Sequence, residues 1–177
     1  MATAAVVPFV TVDEYLRSSY EPDADYVDGE IEERTMGEWD HGDVQGAIYI
    51  LFKRNAKEWG IRTAPEIRVQ TSPTRFRVPD VCIVSASRPK EQVVRTPPLL
   101  CIEVLSPEDR YSRSTRKYSD YLAMGVPEVW VFDPAIRTVY VMHSDGVTTN
   151  HTEGTLRLQG TRIELPLAEI FAVLDED

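Results

Sequence analysis

Two carboxylates stand in the chain where an apolar core is expected. Pro79-Asp80 opens the strand-like run Val81-Cys82-Ile83-Val84, and Glu103 lies inside Leu99-Leu100-Cys101-Ile102-Glu103-Val104-Leu105. An ionised carboxylate among β-formers is costly unless it is paired, hydrogen-bonded or bound to a cation. Two such acids, 23 positions apart, point to a shared metal. A hard divalent ion, Mg²⁺ or Mn²⁺, takes oxygen ligands, and Asp80, Glu103 and the backbone carbonyl of Val104 could together hold one. A centre of this kind suits phosphodiester hydrolysis, with a lysine to hold the attacking water or to offset charge in the transition state.

The elements that must position these acids follow from local pattern. Thr11-Val12-Asp13-Glu14 reads as a capping box opening a short helix through Ser18. Tyr26-Val27, Asp28-Gly29 and Glu30-Ile31 read as strand, turn and strand, because Asp-Gly between β-formers favours a hairpin. From Asp40, a suitable N-cap, Val44, Ala47, Ile48, Leu51, Phe52, Ala56 and Trp59 keep helical spacing until Gly60, which predicts the longest helix. Ile61 to Gln70 alternates as one strand, Ser72-Pro73-Thr74 turns it, and Arg75 to Val84 returns as the strand carrying Asp80. Ser85 to Pro98 is a polar loop, and Ser112 to Met124 is helical, closed by Gly125. Strands follow at Glu128 to Asp133 and Thr138 to Met142, a turn at Ser144-Asp145-Gly146, and a terminal helix opened by Pro166.

The strands around Asp80 and Glu103 are apolar on both faces, which predicts a sheet covered by helices on each side. If they pair antiparallel with Asp80 opposite Glu103, paired numbers sum to 183 and Cys82 faces Cys101. The fold class expected is α/β, a mixed central sheet flanked by helices, with additional antiparallel strands.

At 177 residues and 42% apolar content, the chain reads as one domain over residues 1–177. The apolar stretch Met1 to Val10 has no basic flank and is too short to span a bilayer, so a cytoplasmic protein without membrane association is expected. The two cysteines have no CxxC spacing and read as reduced core thiols. A formal charge of −10 argues against nucleic acid as partner, but its distribution does not. Residues 53–117 hold 14 Lys or Arg against 7 Asp or Glu, a balance of +7, whereas the rest holds 5 against 22, or −17. The basic third encloses both acids.

The order Pro79-Asp80, spacer, Glu103 resembles the PD-(D/E)xK nuclease superfamily, with Leu105 where that motif has its lysine. The chain is most similar to the Uma-two family of that superfamily, through Asp28-Gly29-Glu30, His41, Val78-Pro79-Asp80-Val81, Ile102-Glu103-Val104-Leu105-Ser106-Pro107, Lys117, Tyr121, Gly125-Val126 and Glu128-Val129-Trp130-Val131-Phe132-Asp133-Pro134. The resemblance runs from about Phe9 to Phe171. It implies a restriction-endonuclease-like fold and a Mg²⁺- or Mn²⁺-dependent endonuclease acting on DNA. Asp80 and Glu103 would bind the ion, and Lys117, on the following helix, would replace the missing lysine. Arg113 stands where similar proteins carry an acid, one turn before Lys117.

Around this triad three residues are candidate supports. Arg113, with Arg110 a further turn back, gives Lys117's helix a basic edge, although a solvated face explains both equally. His41, at the start of the long helix, either meets the site or is a surface residue. Glu30, after the Asp-Gly turn, is a third ligand or an edge residue. Tyr121 and Trp130 read as core aromatics. A homodimer would supply the two sites that double-strand cutting requires. The competing expectation is a catalytically silent nucleic-acid-binding or assembly module with the same fold, favoured by Leu105 and the acidic remainder; hydrolysis of some other phosphoester is a third.

Overall fold

The computed structural model describes residues 9–34, 37–107 and 111–175, with backbone alone over 111–113. Helix α1 (Val12–Arg17) is capped as its sequence requires: the Thr11 hydroxyl accepts from the Glu14 N–H, and the Glu14 carboxylate accepts from the Thr11 N–H. Strands β1 (Asp25–Val27) and β2 (Glu30–Glu32) form the Asp-Gly hairpin. Asp28 and Gly29 take φ of 50° and 100°, and a Cβ on Gly29 would sit 2.3 Å from the Phe9 ring. Helix α2 (Trp39–Trp59) has Glu38 as its N-cap, two residues before the expected cap Asp40, and ends at Gly60 in the left-handed conformation.

The two long strands expected next are each split. Ile61 to Gln70 becomes β3 (Ile61–Pro65) and β4 (Val69–Ser72), separated at Glu66, where φ is 48°. Arg75 to Val84 becomes β5 (Arg75–Arg77) and β6 (Val81–Ser85), with Asp80 in the break rather than in a strand. The reason is that one hairpin serves two sheets. β4 and β5 join β1 and β2 in a four-stranded antiparallel sheet of order β2-β1-β5-β4. β3 and β6 continue into a six-stranded mixed sheet with β7 (Leu100–Val104), β8 (Glu128–Asp133), β9 (Thr138–His143) and β10 (Thr148–His151), in the order β10-β9-β8-β7-β6-β3.

β6 and β7 pair antiparallel with Val81 opposite Ile102 and Cys82 opposite Cys101, the expected register. β7 and β8 are parallel, joined by helix α3 (Tyr111–Met124), since parallel neighbours require a crossover. A small hairpin of β11 (Thr155–Arg157) and β12 (Glu164–Pro166) precedes α4 (Leu167–Phe171) and a final 3₁₀ turn (Ala172–Asp175).

Alternation along β7 and β8 gives the large sheet two buried faces. Leu100, Ile102 and Val104, with Trp130 and Phe132, pack in one cluster with Val44, Ile48, Leu51 and Phe52 of α2 and with α4. Cys101, Val129 and Val131 pack with Cys82, Tyr118 and Tyr121 of α3 on the other. Glu103 takes the phase of Cys101 and so faces α3. A third cluster, Tyr15, Tyr26 and Phe76, binds α1 to the small sheet. No helix among the described residues is long and apolar enough to cross a membrane.

Candidate active site

Asp80 is 2% exposed and sits just beyond the last backbone pair of β6 and β7. Its Oδ2 accepts the Val104 N–H at 2.7 Å, so the side chain takes the place of the next backbone rung. Its backbone carbonyl accepts from the Glu66 N–H at 3.3 Å and from Gln45 Nε2 at 3.1 Å. These bonds fix the carboxylate at the junction of the two sheets. Its Oδ1 pairs with the Arg34 guanidinium and lies 3.7 Å from His41 Nε2.

Glu103 is held from α3 by two side chains one turn apart. Lys117 Nζ donates to Oε2 at 2.8 Å, and the Tyr121 hydroxyl donates to Oε1 at 2.8 Å. The i, i+4 spacing puts both donors on the helix face that covers the sheet, which is why a lysine beyond β7 reaches an acid within it. Lys117 Nζ also donates to the Val78 carbonyl at 2.8 Å. Burial pushes the Glu103 carboxyl up to about 7 against the opposing ammonium of Lys117. Burial pulls Lys117 down, but the carboxylates of Asp25 and Glu103 outweigh it and the net shift is upward, so Lys117 is a cation.

These groups open into one cavity of about 60 Å³, lined by Asp25, Glu32, Glu33, Arg34, His41, Asp80, Glu103, Val104, Ser106, Ser114, Lys117 and Tyr118. At about 30 Å³ per water, this is room for about two water-sized occupants. Among the described residues no group of three or more His, Cys, Asp or Glu side chains is arranged to hold a metal ion. Four of the five acids that line the cavity are instead matched by cations: Arg34 on Asp80, Lys117 on Glu103, and Arg77 on Asp25 and Glu32.

Of the residues singled out in the sequence, Asp80, Glu103, Val104, Lys117 and His41 meet at this cavity. The His41 Nδ1 lies 3.2 Å from the Ser106 hydroxyl, between α2 and the segment after β7. Glu30 does not meet it. It is exposed opposite Val27 at the turn end of the hairpin, whereas Glu32, opposite Asp25, reaches the cavity from the other end. The Arg113 side chain and all of Arg110 lie outside the described residues. Arg34 and Asp25 carry no motif, and their contacts with Asp80 and Arg77 span 46 and 52 residues. For Tyr121, its spacing from Lys117 was the available signal: it is core, as expected, yet its hydroxyl anchors Glu103.

The family model described as "Uma2: Putative restriction endonuclease" matches residues 12–170. Among solved structures, the one titled "Crystal structure of a putative nuclease belonging to DUF820 from Anabaena variabilis ATCC 29413" superposes with a TM-score of 0.82 and 24% identity, over 93% of this chain and 99% of that one. This likeness fixes the fold: a central mixed six-stranded sheet with added antiparallel sheets. A chain of the DrdV–DNA complex solved by cryo-electron microscopy is more distant, with a TM-score of 0.41 and 14% identity over 74% of this chain and 10% of that one. No curated protein matches. With 12–170 matched, the chain belongs to the Uma2 family.

Proposed function

We propose that the chain is a metal-dependent endonuclease that hydrolyses DNA phosphodiester bonds. The observation that carries this reading is convergence: Asp80, Glu103 and Lys117 reach one cavity from a strand junction, a central strand and a helix. The donors suit Mg²⁺ or Mn²⁺, since Mg²⁺ commonly takes one or two carboxylates and keeps several waters. Asp80, Glu103 and the carbonyl of Val104 would hold the ion, which supplies Lewis-acid polarisation of the phosphate when bound.

The remaining work belongs to the chain. Lys117 is aligned by Val78 and Glu103, and its ammonium, facing the cavity, orients a water or neutralises a phosphate oxygen. Tyr121 keeps Glu103 turned toward Lys117. Arg34 pairs with Asp80 in the structure and, with Asp80 holding the ion, would be free to meet the phosphate. Cutting both strands requires two such sites, which a twofold homodimer supplies.

A second reading, a silent nucleic-acid-binding module, is favoured by the same Arg34–Asp80 pair, which balances the acid without an ion. Titration of Mn²⁺ with calorimetric detection separates the two. The wild type binds and Asp80→Ala does not; Arg34→Met binds roughly tenfold more tightly, because one charge-assisted hydrogen bond no longer competes. Plasmid nicking with Mg²⁺ then falls ~100-fold or more in Lys117→Ala. Binding without any nicking supports the silent module, and absence of Mn²⁺ binding removes the metal site.

A further inference from the structure

The structure uses up much of the basic character of residues 53–117. Arg54, Arg68, Arg75, Arg77, Arg116 and Lys117 are paired with carboxylates, most of them from the acidic remainder. Among the described residues, Lys53, Lys57, Arg62, Arg88, Lys90 and Arg95 have no carboxylate within ion-pair distance.

Four of these six line one cleft of about 540 Å³: Lys53, Arg62, Arg88 and Lys90. The cleft wraps β3, the edge strand of the large sheet. Its arginines are anchored by uncharged acceptors, which fix them without cancelling their charge. Arg62 donates to the Arg88 carbonyl at 2.6 Å, and Arg88 to the Pro97 carbonyl at 3.4 Å. Among the described residues the one acid on the wall, Glu91, is turned into its loop, accepting from the N–H groups of Arg95 and Thr96 at 3.3 and 3.2 Å.

A separate observation points to a ligand here. Thr63, on β3 and lining the same cleft, is 7% exposed, and among the described residues its hydroxyl has no hydrogen-bond partner. A buried hydroxyl left unsatisfied is uncommon in a native fold and marks a place where an acceptor or donor is missing. Phosphate oxygens accept from hydroxyls and from arginine and lysine alike.

We propose that this cleft is a second binding site, for the phosphates of a nucleic acid whose scissile bond lies in the candidate active site. The ligand's identity rests on the nuclease reading above; the site's preference for a polyanion does not. β3 connects the two places. Beyond its far end, the Glu66 N–H donates to the Asp80 carbonyl and the Glu66 carboxylate pairs with Arg34. From Arg62 to Glu66 is four strand steps, or ~13 Å, the axial rise of about four base pairs. A duplex laid along β3 therefore meets the cleft a few base pairs from the cavity.

The test is fluorescence anisotropy of a labelled 20-base-pair duplex in EDTA, with the full chain, across a salt series. The variant carries Lys53→Gln, Arg62→Gln, Arg88→Gln and Lys90→Gln. A control of equal net charge carries Arg17→Gln, Arg54→Gln, Arg137→Gln and Arg157→Gln, cations that are already paired with carboxylates. The cleft variant should lose tenfold or more in affinity, and its salt slope should flatten by about 0.9 for each phosphate contact removed, while the control stays within about twofold. Thr63→Val, which keeps charge and shape, should weaken binding several-fold. Should the quadruple variant not fold, Lys53→Gln with Lys90→Gln, two exposed positions, is expected to give about half the slope change.

Wild-type affinity and slope in the cleft variant would overturn the proposal. So would a dimer, seen by sedimentation, that the cleft variant dissociates while DNA affinity is unchanged, since the cleft would then hold an acidic face of a second copy. Cleft-dependent binding without any plasmid cleavage leaves the cleft standing and removes the nuclease reading. Cleavage at the wild-type rate in the cleft variant does the reverse.

Discussion

Glu103 shows how a single buried acid sets the behaviour of its surroundings. It lies in a strand buried along its whole length, 6% exposed, and its two oxygens are met by Lys117 and Tyr121. Burial dominates its ionisation and raises the carboxyl from 4.5 to about 7. The folded chain thus keeps a proton that the unfolded chain releases, so Glu103 makes stability fall as pH rises from about 4.5 to about 7 and adds no slope above that. Glu103→Gln removes the titration and keeps the shape. Urea denaturation of both proteins at pH 5 and pH 8 should show the variant gaining on the wild type at the higher pH, by on the order of 2 kcal/mol. Parallel pH profiles would mean that the Lys117 pair, not burial, controls this acid.

At the scale of elements, the joint between the small sheet and α3 is built on Arg77, which is 1% exposed. It pairs with Asp25 of β1 at 3.1 Å, with Glu32 of β2 at 2.7 Å and with Asp120 of α3 at 2.7 Å. Replacing it with Met fills the volume and strands these carboxylates. The expected cost is ~3–5 kcal/mol in urea denaturation, the usual penalty for removing one side of a buried ion pair. A loss below about 1 kcal/mol would show that the carboxylates find water instead.

This joint also marks where sequence reasoning stops. The register of β6 on β7 was legible because Cys82, Cys101, Asp80 and Glu103 obey one sum, and α1, α2 and the Asp28-Gly29 hairpin carry their own end signals. The splitting of the next hairpin between two sheets was not, because alternation records which face a residue takes and not which sheet it joins. Pro65-Glu66 was the visible signal of the break. Arg34 and Arg77 were invisible as site residues, since an ion pair across tens of residues leaves no spacing. Lys117 was legible only through family resemblance, because a lone lysine on a helix reads first as a surface charge.

For the molecule as a whole, the candidate site lies on the seam between two units of unequal strength. The large sheet is buried on both faces by clusters that include α2, α4 and α3, whereas the small sheet rests on Tyr15, Tyr26 and Phe76, on Val69 of β4 against α3, and on the ionic joint. Units with fewer buried apolar contacts open first in the native state. Amide hydrogen exchange should therefore release β1, β2 and β5 before β7 and β8, whose amides exchange only through global unfolding. Asp120→Asn, which weakens the joint from the α3 side, should speed exchange in the small sheet and leave β8 unchanged. Equal acceleration everywhere would instead show one cooperative unit. The order matters for function because Arg34 follows β2 while Asp80 and Glu103 are fixed to the large sheet. On the proposed metal-dependent reading, an opening of the small sheet would draw Arg34 away from Asp80 and leave the carboxylates in place to meet a cation.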